Sequence, residues 1–136
     1  MKKLIYTLSI ICCISALHAQ TQLWGTTEEG GSMKYGTIFS ADANGNNLQT
    51  VYSFDYTNGS MPLGNLIMGA NGHLYGVCEL GGYGDSCCIF EFDPVTGTNT
   101  DVYDYFQATI NGWDALSGLM IGADGKFYGT CLLGGT

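Results

Sequence analysis

Side chains that could act as catalytic acids, bases or nucleophiles are scarce in this sequence. The chain has two histidines, and only His73 lies after the first 20 residues, where the preceding Asn-Gly pair predicts an exposed turn. A Ser-His-Asp or Cys-His site needs a histidine that a second group orients, and no such spacing surrounds His73. Glu28-Glu29 and the pair Asp101 and Asp104 have the composition of glycosidase carboxylates, but their spacing is typical of solvated turn charge. We therefore predict no catalytic residue.

The segment with Asn111, Trp113 and Asp114 is the best candidate for a binding loop. The corresponding loop about 50 residues earlier reads Gly59-Ser60-Met61 and has no aromatic side chain. An aromatic residue outside the repeated pattern is not explained by packing that every unit shares, and loops carry binding residues in many folds. We predict that Asn111, Trp113 and Asp114 contact a ligand.

Four cysteines are candidates for disulfide bonds. Cys78 and the neighbours Cys87 and Cys88 flank one Gly-rich segment, so Cys78 can reach either of them across a hairpin. Cys131 occupies the position of Cys78 in the following unit, and a partner at the same spacing would lie near position 140, after the last residue. Disulfides are the ordinary state of cysteines in exported chains.

No metal site and no cofactor are predicted. The cysteines lack the Cys-x-x-Cys spacing of structural zinc sites. The run Asp42-Ala43-Asn44-Gly45-Asn46-Asn47 has the composition of a calcium loop, but the twelfth position of such a loop is Ser53 rather than a carboxylate. The run therefore predicts a polar turn between strands.

The N-terminus has the layout of a secretory signal peptide. Met1-Lys2-Lys3 is basic, residues 4–16 are apolar, and the small Ala19 stands at the cleavage position. Residues 1–19 are therefore predicted to be removed on export, which leaves 20–136 as the mature repeat region. That region has two lysines, no arginine and 12 acidic residues, a net charge of −10.

The mature region repeats itself. Three segments correspond at spacings of 51 and 53 residues: Leu23-Trp24-Gly25-Thr26, Leu74-Tyr75-Gly76-Val77 and Phe127-Tyr128-Gly129-Thr130. Gly-Gly pairs follow each segment at a fixed offset. The repeats delimit units at about 23–73 and 74–126 and the start of a third at 127–136. A repeat of this length indicates stacked or radial units.

Each unit is predicted to contain four short strands. In the second unit these are 88–93, 100–106, 116–121 and 126–131, with an Asp-Gly hairpin turn between the last two. The aromatic residue that recurs in the Leu-Tyr-Gly segment is predicted to pack between units. The pattern predicts an all-β fold of β-propeller-type, four-stranded blades, about two blades of an incomplete ring.

These motifs resemble a known tandem repeat. Asn71-Gly72-His73-Leu74-Tyr75-Gly76, with Gly30-Gly31 followed by Gly36-Thr37-Ile38-Phe39, is similar to the Gloeo/Verruco (GloVer) repeat over about residues 22–136. The resemblance implies a secreted, propeller-type "choice-of-anchor" repeat protein of bacteria, held at the cell surface by varied C-terminal anchors. It implies no catalytic residues.

Composition limits the partners. A strongly acidic chain with so few basic residues does not suit nucleic acid, whose binding requires Lys and Arg. No internal apolar run reaches the roughly 18 residues of a membrane span. Carbohydrate or a surface protein is the partner that we expect, together with further blades of the same protein or a second copy of the chain.

Two units are fewer than the roughly four to eight blades that close a propeller. We therefore expect an N-terminal part of a longer protein, the alternative being a ring completed by self-association. The expected function is that of a non-catalytic binding or structural module, secreted or at the cell surface. The alternative is an extracellular enzyme acting on polysaccharide, with catalytic residues outside this chain.

Overall fold

The computed structural model describes residues 21–83, 86–104 and 117–134, which form nine β-strands. The predicted all-β class is confirmed, and the described residues contain no helix. The strands in chain order are β1 (Gln22–Thr27), β2 (Thr37–Asp42), β3 (Gln49–Ser53), β4 (Ser60–Met68), β5 (Leu74–Leu80), β6 (Cys88–Asp93), β7 (Thr98–Asp104), β8 (Met120–Ile121) and β9 (Phe127–Tyr128).

The strands form three antiparallel sheets in which sequence neighbours pair. The first sheet has the order β1-β2-β3, the second β4-β5-β6-β7, and the third is the pair β8-β9. The predicted strand at 88–93 coincides with β6. The four strands that the sequence grouped into one unit are divided between the second and third sheets, because the Asn71-Gly72 turn joins β4 and β5 into a hairpin of one sheet.

The first sheet packs against one face of the second. Their common core contains Ile38 and Phe54 from the first sheet and its following turn, against Phe90 and Phe92 from β6. All four side chains are almost fully buried. Phe54 contacts Phe90 edge-on, with the ring centroids 5.1 Å apart. Aromatic pairs in this arrangement stabilise cores beyond their buried area.

The opposite face of the second sheet packs against the third. Val77 of β5 and Leu119, just before β8, are buried in this second core. Tyr75 packs against Phe127 of β9 with ring centroids 4.5 Å apart and ring planes tilted by 39°. Its counterpart Trp24 packs towards Phe92. In the first two repeated segments the aromatic residue thus lies between sheets, as predicted, whereas Tyr128 of the third segment is 49% exposed.

A cross-strand pair explains why the repeat joins a glycine to a phenylalanine. Gly25 lies opposite Phe39, and Gly76 lies opposite Phe90. In both pairs the phenylalanine ring covers the glycine so closely that a Cβ there would collide with it. The glycine leaves room for the ring, and the ring shields a strand backbone that has no side chain of its own.

The two ends of the sheets differ in their turns. At one end, carboxylates and amides cap short polar turns; for example, Asp42 Oδ1 accepts hydrogen bonds from the Asn44 and Asn46 amides at 2.9 Å each. The polar turn predicted for this run is therefore confirmed. At the other end, which we call the Gly-rich end, residues 28–36, 54–59 and Gly81-Gly82 connect the strands.

Candidate functional site

The predicted binding residues Asn111, Trp113 and Asp114 lie outside the described residues. Their counterparts one repeat earlier are described: at the spacing of 53 they are Asn58, Ser60 and Met61. Ser60 and Met61 line a groove at the Gly-rich end between the first and second sheets. The repeat thus relates the predicted loop to a concave surface of the described chain.

The groove encloses about 640 Å³ and has a largely apolar lining. The side chains that define it are Glu29, Lys34, Tyr35, Tyr56, Met61 and Leu80. Tyr35 and Tyr56 form a tilted pair with ring centroids 5.2 Å apart. Tyr35 keeps 39% of its surface exposed and Leu80 keeps 36%. The groove thus presents aromatic and aliphatic surface to solvent at a place where two sheets meet.

Strained backbone concentrates in the groove. The described residues other than glycine with positive φ are Lys34, Asn47, Tyr56 and Met61, and all of them except Asn47 line it. Left-handed backbone costs about 1–2 kcal/mol for a residue with a side chain. Such strain persists where the surroundings enforce it and is frequent at binding sites.

Backbone hydrogen bonds hold this strained arrangement in place. The Met61 amide donates to the Tyr35 carbonyl at 2.9 Å, which ties the start of β4 to the loop before β2. The Gly82 amide donates to the Tyr56 carbonyl at 3.1 Å. The main chains of both tyrosines are thereby held, and their rings pack against each other.

The two charged side chains that line the groove have opposite signs. Lys34 and Glu29 both line it and both are exposed. The remainder of residues 20–136 is strongly acidic, and the other lysine of this stretch, Lys126, lies in the turn of the third sheet. A groove with one charge of each sign on an acidic protein favours neutral ligands over anionic ones.

Cys78 and Cys88 face each other in the second sheet. They are direct register partners on β5 and β6, and both are fully buried in the first core. Cys87 is buried in the second core, on the opposite face of the sheet, and the partly buried Cys131 packs against that same core. The structure therefore separates the four predicted cysteines into two groups.

Asp101 and Asp104 meet side by side, which the sequence did not predict. Residues three apart in a regular strand point to opposite faces, but Val102 is an extra residue in the pairing of β7 with β6. This bulge brings Asp101 and Asp104 to the same side, where their carboxyl groups share a hydrogen bond. The Tyr83 amide donates to Asp104 Oδ1 at 3.0 Å. The expectation of solvated turn charge is wrong for this pair.

The environment of Asp101 favours its protonated form. Burial raises the pKa of its carboxyl group to about 7, with a further contribution from Asp104. Its Oδ1 atom is buried with no hydrogen-bond partner among the described residues. Glycosidase carboxyl groups stand about 5 Å or more apart with the substrate between them, so a directly hydrogen-bonded pair does not fit that chemistry.

The raised pKa of Asp101 predicts a pH-dependent stability. The folded protein binds this proton more tightly than the unfolded chain, where the pKa is about 3.9. Stability should therefore fall as pH rises from about 4 through 7 and then level off. Because Asp101 is partly exposed, solvent screening reduces the loss to about 1–2 kcal/mol.

Urea unfolding of the wild type and Asp101→Asn between pH 5 and 8 would measure this loss. The asparagine side chain at position 101 cannot ionise, so the free energy of unfolding of this variant should depend less on pH. Asp124→Asn is the control, because Asn stands at the corresponding position 71. The pKa of Asp124 is lowered, chiefly by the Lys126 amide, so its contribution disappears only in acid. If the free energy of unfolding changed equally with pH in the wild type and in Asp101→Asn, the prediction would be contradicted.

His73 is less exposed than predicted. Its Nδ1 lies 2.7 Å from Glu91 Oε1, and its side chain retains 34% of its exposure. The Tyr75 hydroxyl donates to the same oxygen at 2.8 Å and, with His73, lowers the pKa of Glu91. Asn71 donates to both Tyr75 and Glu91. The cluster fastens the turn between β4 and β5.

The described residues contain no cluster of three or more His, Cys, Asp or Glu side chains suited to a metal ion. Within 21–83, 86–104 and 117–134 there is also no helix with the length and apolarity to cross a membrane.

Sequence reasoning missed Tyr35 and Tyr56, although a signal was present. The residue that corresponds to Tyr35 in the next unit is Ser86. Tyr35 is thus an aromatic residue outside the repeat, the same criterion that selected Trp113. Applied to every loop, that criterion would have selected Tyr35 of the groove together with Tyr83, whose counterpart is Ser32.

The chain matches the model of a known repeat family. The model of the Gloeobacter/Verrucomicrobia repeat matches residues 14–136. No curated protein and no solved structure matches the chain.

Proposed function

The chain belongs to the Gloeobacter/Verrucomicrobia repeat family, and from this premise we propose that it is an exported, propeller-type binding module. Its ligand is a neutral carbohydrate, held in the groove of Tyr35 and Tyr56. The observation that carries the proposal is this pair of packed, partly exposed tyrosine rings, whose centroids lie 5.2 Å apart in a groove of about 640 Å³.

The propeller arrangement is supported by the packing of consecutive sheets. The second sheet has four antiparallel strands in sequence order, as a blade does. Its two faces are buried against the sheets that precede and follow it in the chain. Blades of a propeller stack in this way around an axis, and loops at one end of them form a common face.

Export to the cell surface or beyond is supported by the N-terminal sequence. The basic residues at 2–3, the apolar run at 4–16 and the small Ala19 are the parts of a signal peptide. Surface polysaccharides are among the ligands that a protein meets there.

Carbohydrate is favoured by the chemistry of the groove. Sugar rings present C–H faces that pack on aromatic side chains, and hydroxyl groups that bond to charged and polar ones. The two tyrosines provide the apolar surface, and Lys34 and Glu29 at the margin provide a donor and an acceptor. The hydroxyl of each tyrosine adds a polar group to its apolar ring.

Affinity electrophoresis through gels that contain soluble glucan, xylan, mannan or polygalacturonate tests the proposal. We expect retardation by at least one neutral polysaccharide and none by the acidic polygalacturonate. Tyr35→Ala should weaken that binding about tenfold, roughly 1.4 kcal/mol. The matched control is Tyr83→Ala, which removes an 82% exposed ring outside the groove lining and should bind as the wild type does.

Three outcomes would contradict the proposal. One is the absence of retardation by any neutral polysaccharide. Another is equal weakening by both substitutions, which would indicate a general effect on the fold. The third is retardation by polygalacturonate alone, which would place binding elsewhere than in this electrically balanced groove.

A further inference from the structure

Two cysteine side chains converge at one point inside the second sheet. Cys78 and Cys88 are direct partners in the β5–β6 register. Opposed residues of antiparallel strands have Cα atoms about 4.5–5.5 Å apart, which is within the range that a disulfide spans. A Cβ added to Gly59 would stand 2.6 Å from Cys78 Sγ and 3.3 Å from Cys88 Sγ. Both sulfur atoms therefore lie beneath the same residue.

The fold selects Cys88 over Cys87 as the partner of Cys78. Cys78 and Cys88 belong to the core between the first and second sheets. Cys87 belongs to the core on the opposite face. Adjacent residues of a strand point to opposite faces, so a bond from Cys78 to Cys87 would have to pass through the sheet.

The first sheet has a hydrogen-bonded pair at the same place. The positions that correspond to Cys78 and Cys88 at a spacing of 51 are Thr27 and Thr37. These threonines are also direct register partners, and their hydroxyl oxygens lie 2.8 Å apart. The repeat thus places a side-chain link between β1 and β2 in the first sheet and between β5 and β6 in the second, where a threonine pair and a cysteine pair are alternatives.

We propose that Cys78 and Cys88 form a disulfide bond in the exported protein, which joins β5 to β6 beneath the turn at 55–59. The two thiols lose two protons and two electrons, and one Sγ–Sγ bond forms. A disulfide-bearing oxidant, such as an oxidised dithiol oxidoreductase or glutathione disulfide, accepts the electrons, and its own S–S bond becomes two thiols.

The oxidation precedes the closure of the core. Both sulfurs are fully buried in the folded chain. Hydrogen bonding with Cys78 and burial raise the pKa of the Cys88 thiol, which disfavours the thiolate that exchange requires. Once formed, the bond is shielded from reductants by the same burial.

Peptide mapping tests the proposal directly. The full chain is exported into an oxidising periplasm, purified, and alkylated under denaturing conditions with and without prior reduction. Without reduction, we expect Cys78 and Cys88 to be joined in one cross-linked peptide and protected from alkylation. After reduction, both should be alkylated. Cys87→Ser is the matched control and should leave Cys78 protected. Cys88→Ser should expose Cys78 to alkylation.

A second variant keeps the test informative if single serine substitutions fail to fold. The double change Cys78→Thr and Cys88→Thr copies the pair of the first sheet and should fold. We expect its melting temperature to match that of the reduced wild type, roughly 10 °C below the oxidised protein. Alkylation of Cys78 in the unreduced wild type, or its bonding to Cys87 or Cys131, would overturn the proposal.

Discussion

Replacing Phe90 by alanine is expected to destabilise the protein by about 3–5 kcal/mol, the range for deletion of a fully buried phenylalanine. Phe90 is 0% exposed, contacts Phe54 edge-on and covers the backbone of Gly76. Its removal leaves a cavity between two sheets and uncovers a glycine in a strand. Urea unfolding of both proteins gives the difference in free energy directly.

Phe39 provides a matched control for this substitution. It holds the same position in the preceding unit, and its ring covers Gly25 in the same way. Phe39 is half-buried, however, because it lies on the opposite side of the first sheet from the core shared with the second. We expect Phe39→Ala to cost about 1–2 kcal/mol, since less apolar area is lost. Equal losses would show that the glycine contact, rather than burial between sheets, determines the effect.

The strands were predictable because short stretches of the sequence contain the signals that indicate them. Hairpin turns and alternating apolar residues define β6 and the β8–β9 hairpin, and the structure has them where they were predicted. The grouping of strands into sheets was not predictable from the repeat. A repeat has a period but no starting point, and only the hydrogen bonding of the Asn71-Gly72 hairpin assigns β4 to the sheet of β5.

The arrangement of the candidate site depended on features that spacing does not reveal. Asp101 and Asp104 meet because of the bulge at Val102, which reverses the side on which the following residues lie. Tyr56 and Met61 line the groove with left-handed backbones that are imposed by hydrogen bonds to distant residues. The sequence indicated which residues were exceptional, but tertiary contacts decide where they lie.

Gly59→Ala is the second substitution for which we expect a large effect, about 3 kcal/mol or more. Gly59 has a φ of 105°, and a methyl group there would stand 2.6 Å from Cys78 Sγ. The turn cannot easily withdraw, because Asp55 accepts hydrogen bonds from the Thr57 and Asn58 amides, and Asn99 donates to the Asn58 carbonyl at 3.0 Å. The substitution therefore combines left-handed strain with overpacking of a buried sulfur pair.

Gly30→Ala separates these two causes. Gly30 has a nearly equal φ of 97°, but none of the described atoms lies within 4 Å of the position of its Cβ. Gly30→Ala should therefore lower the free energy of unfolding only by the backbone strain, about 1–2 kcal/mol. The excess of Gly59→Ala over Gly30→Ala, measured by urea unfolding, then reports the contact with the two cysteine side chains. If the two losses agree, the turn at 55–59 can move away from Cys78, and the close packing of that turn on the cysteine pair is not a constraint on the fold.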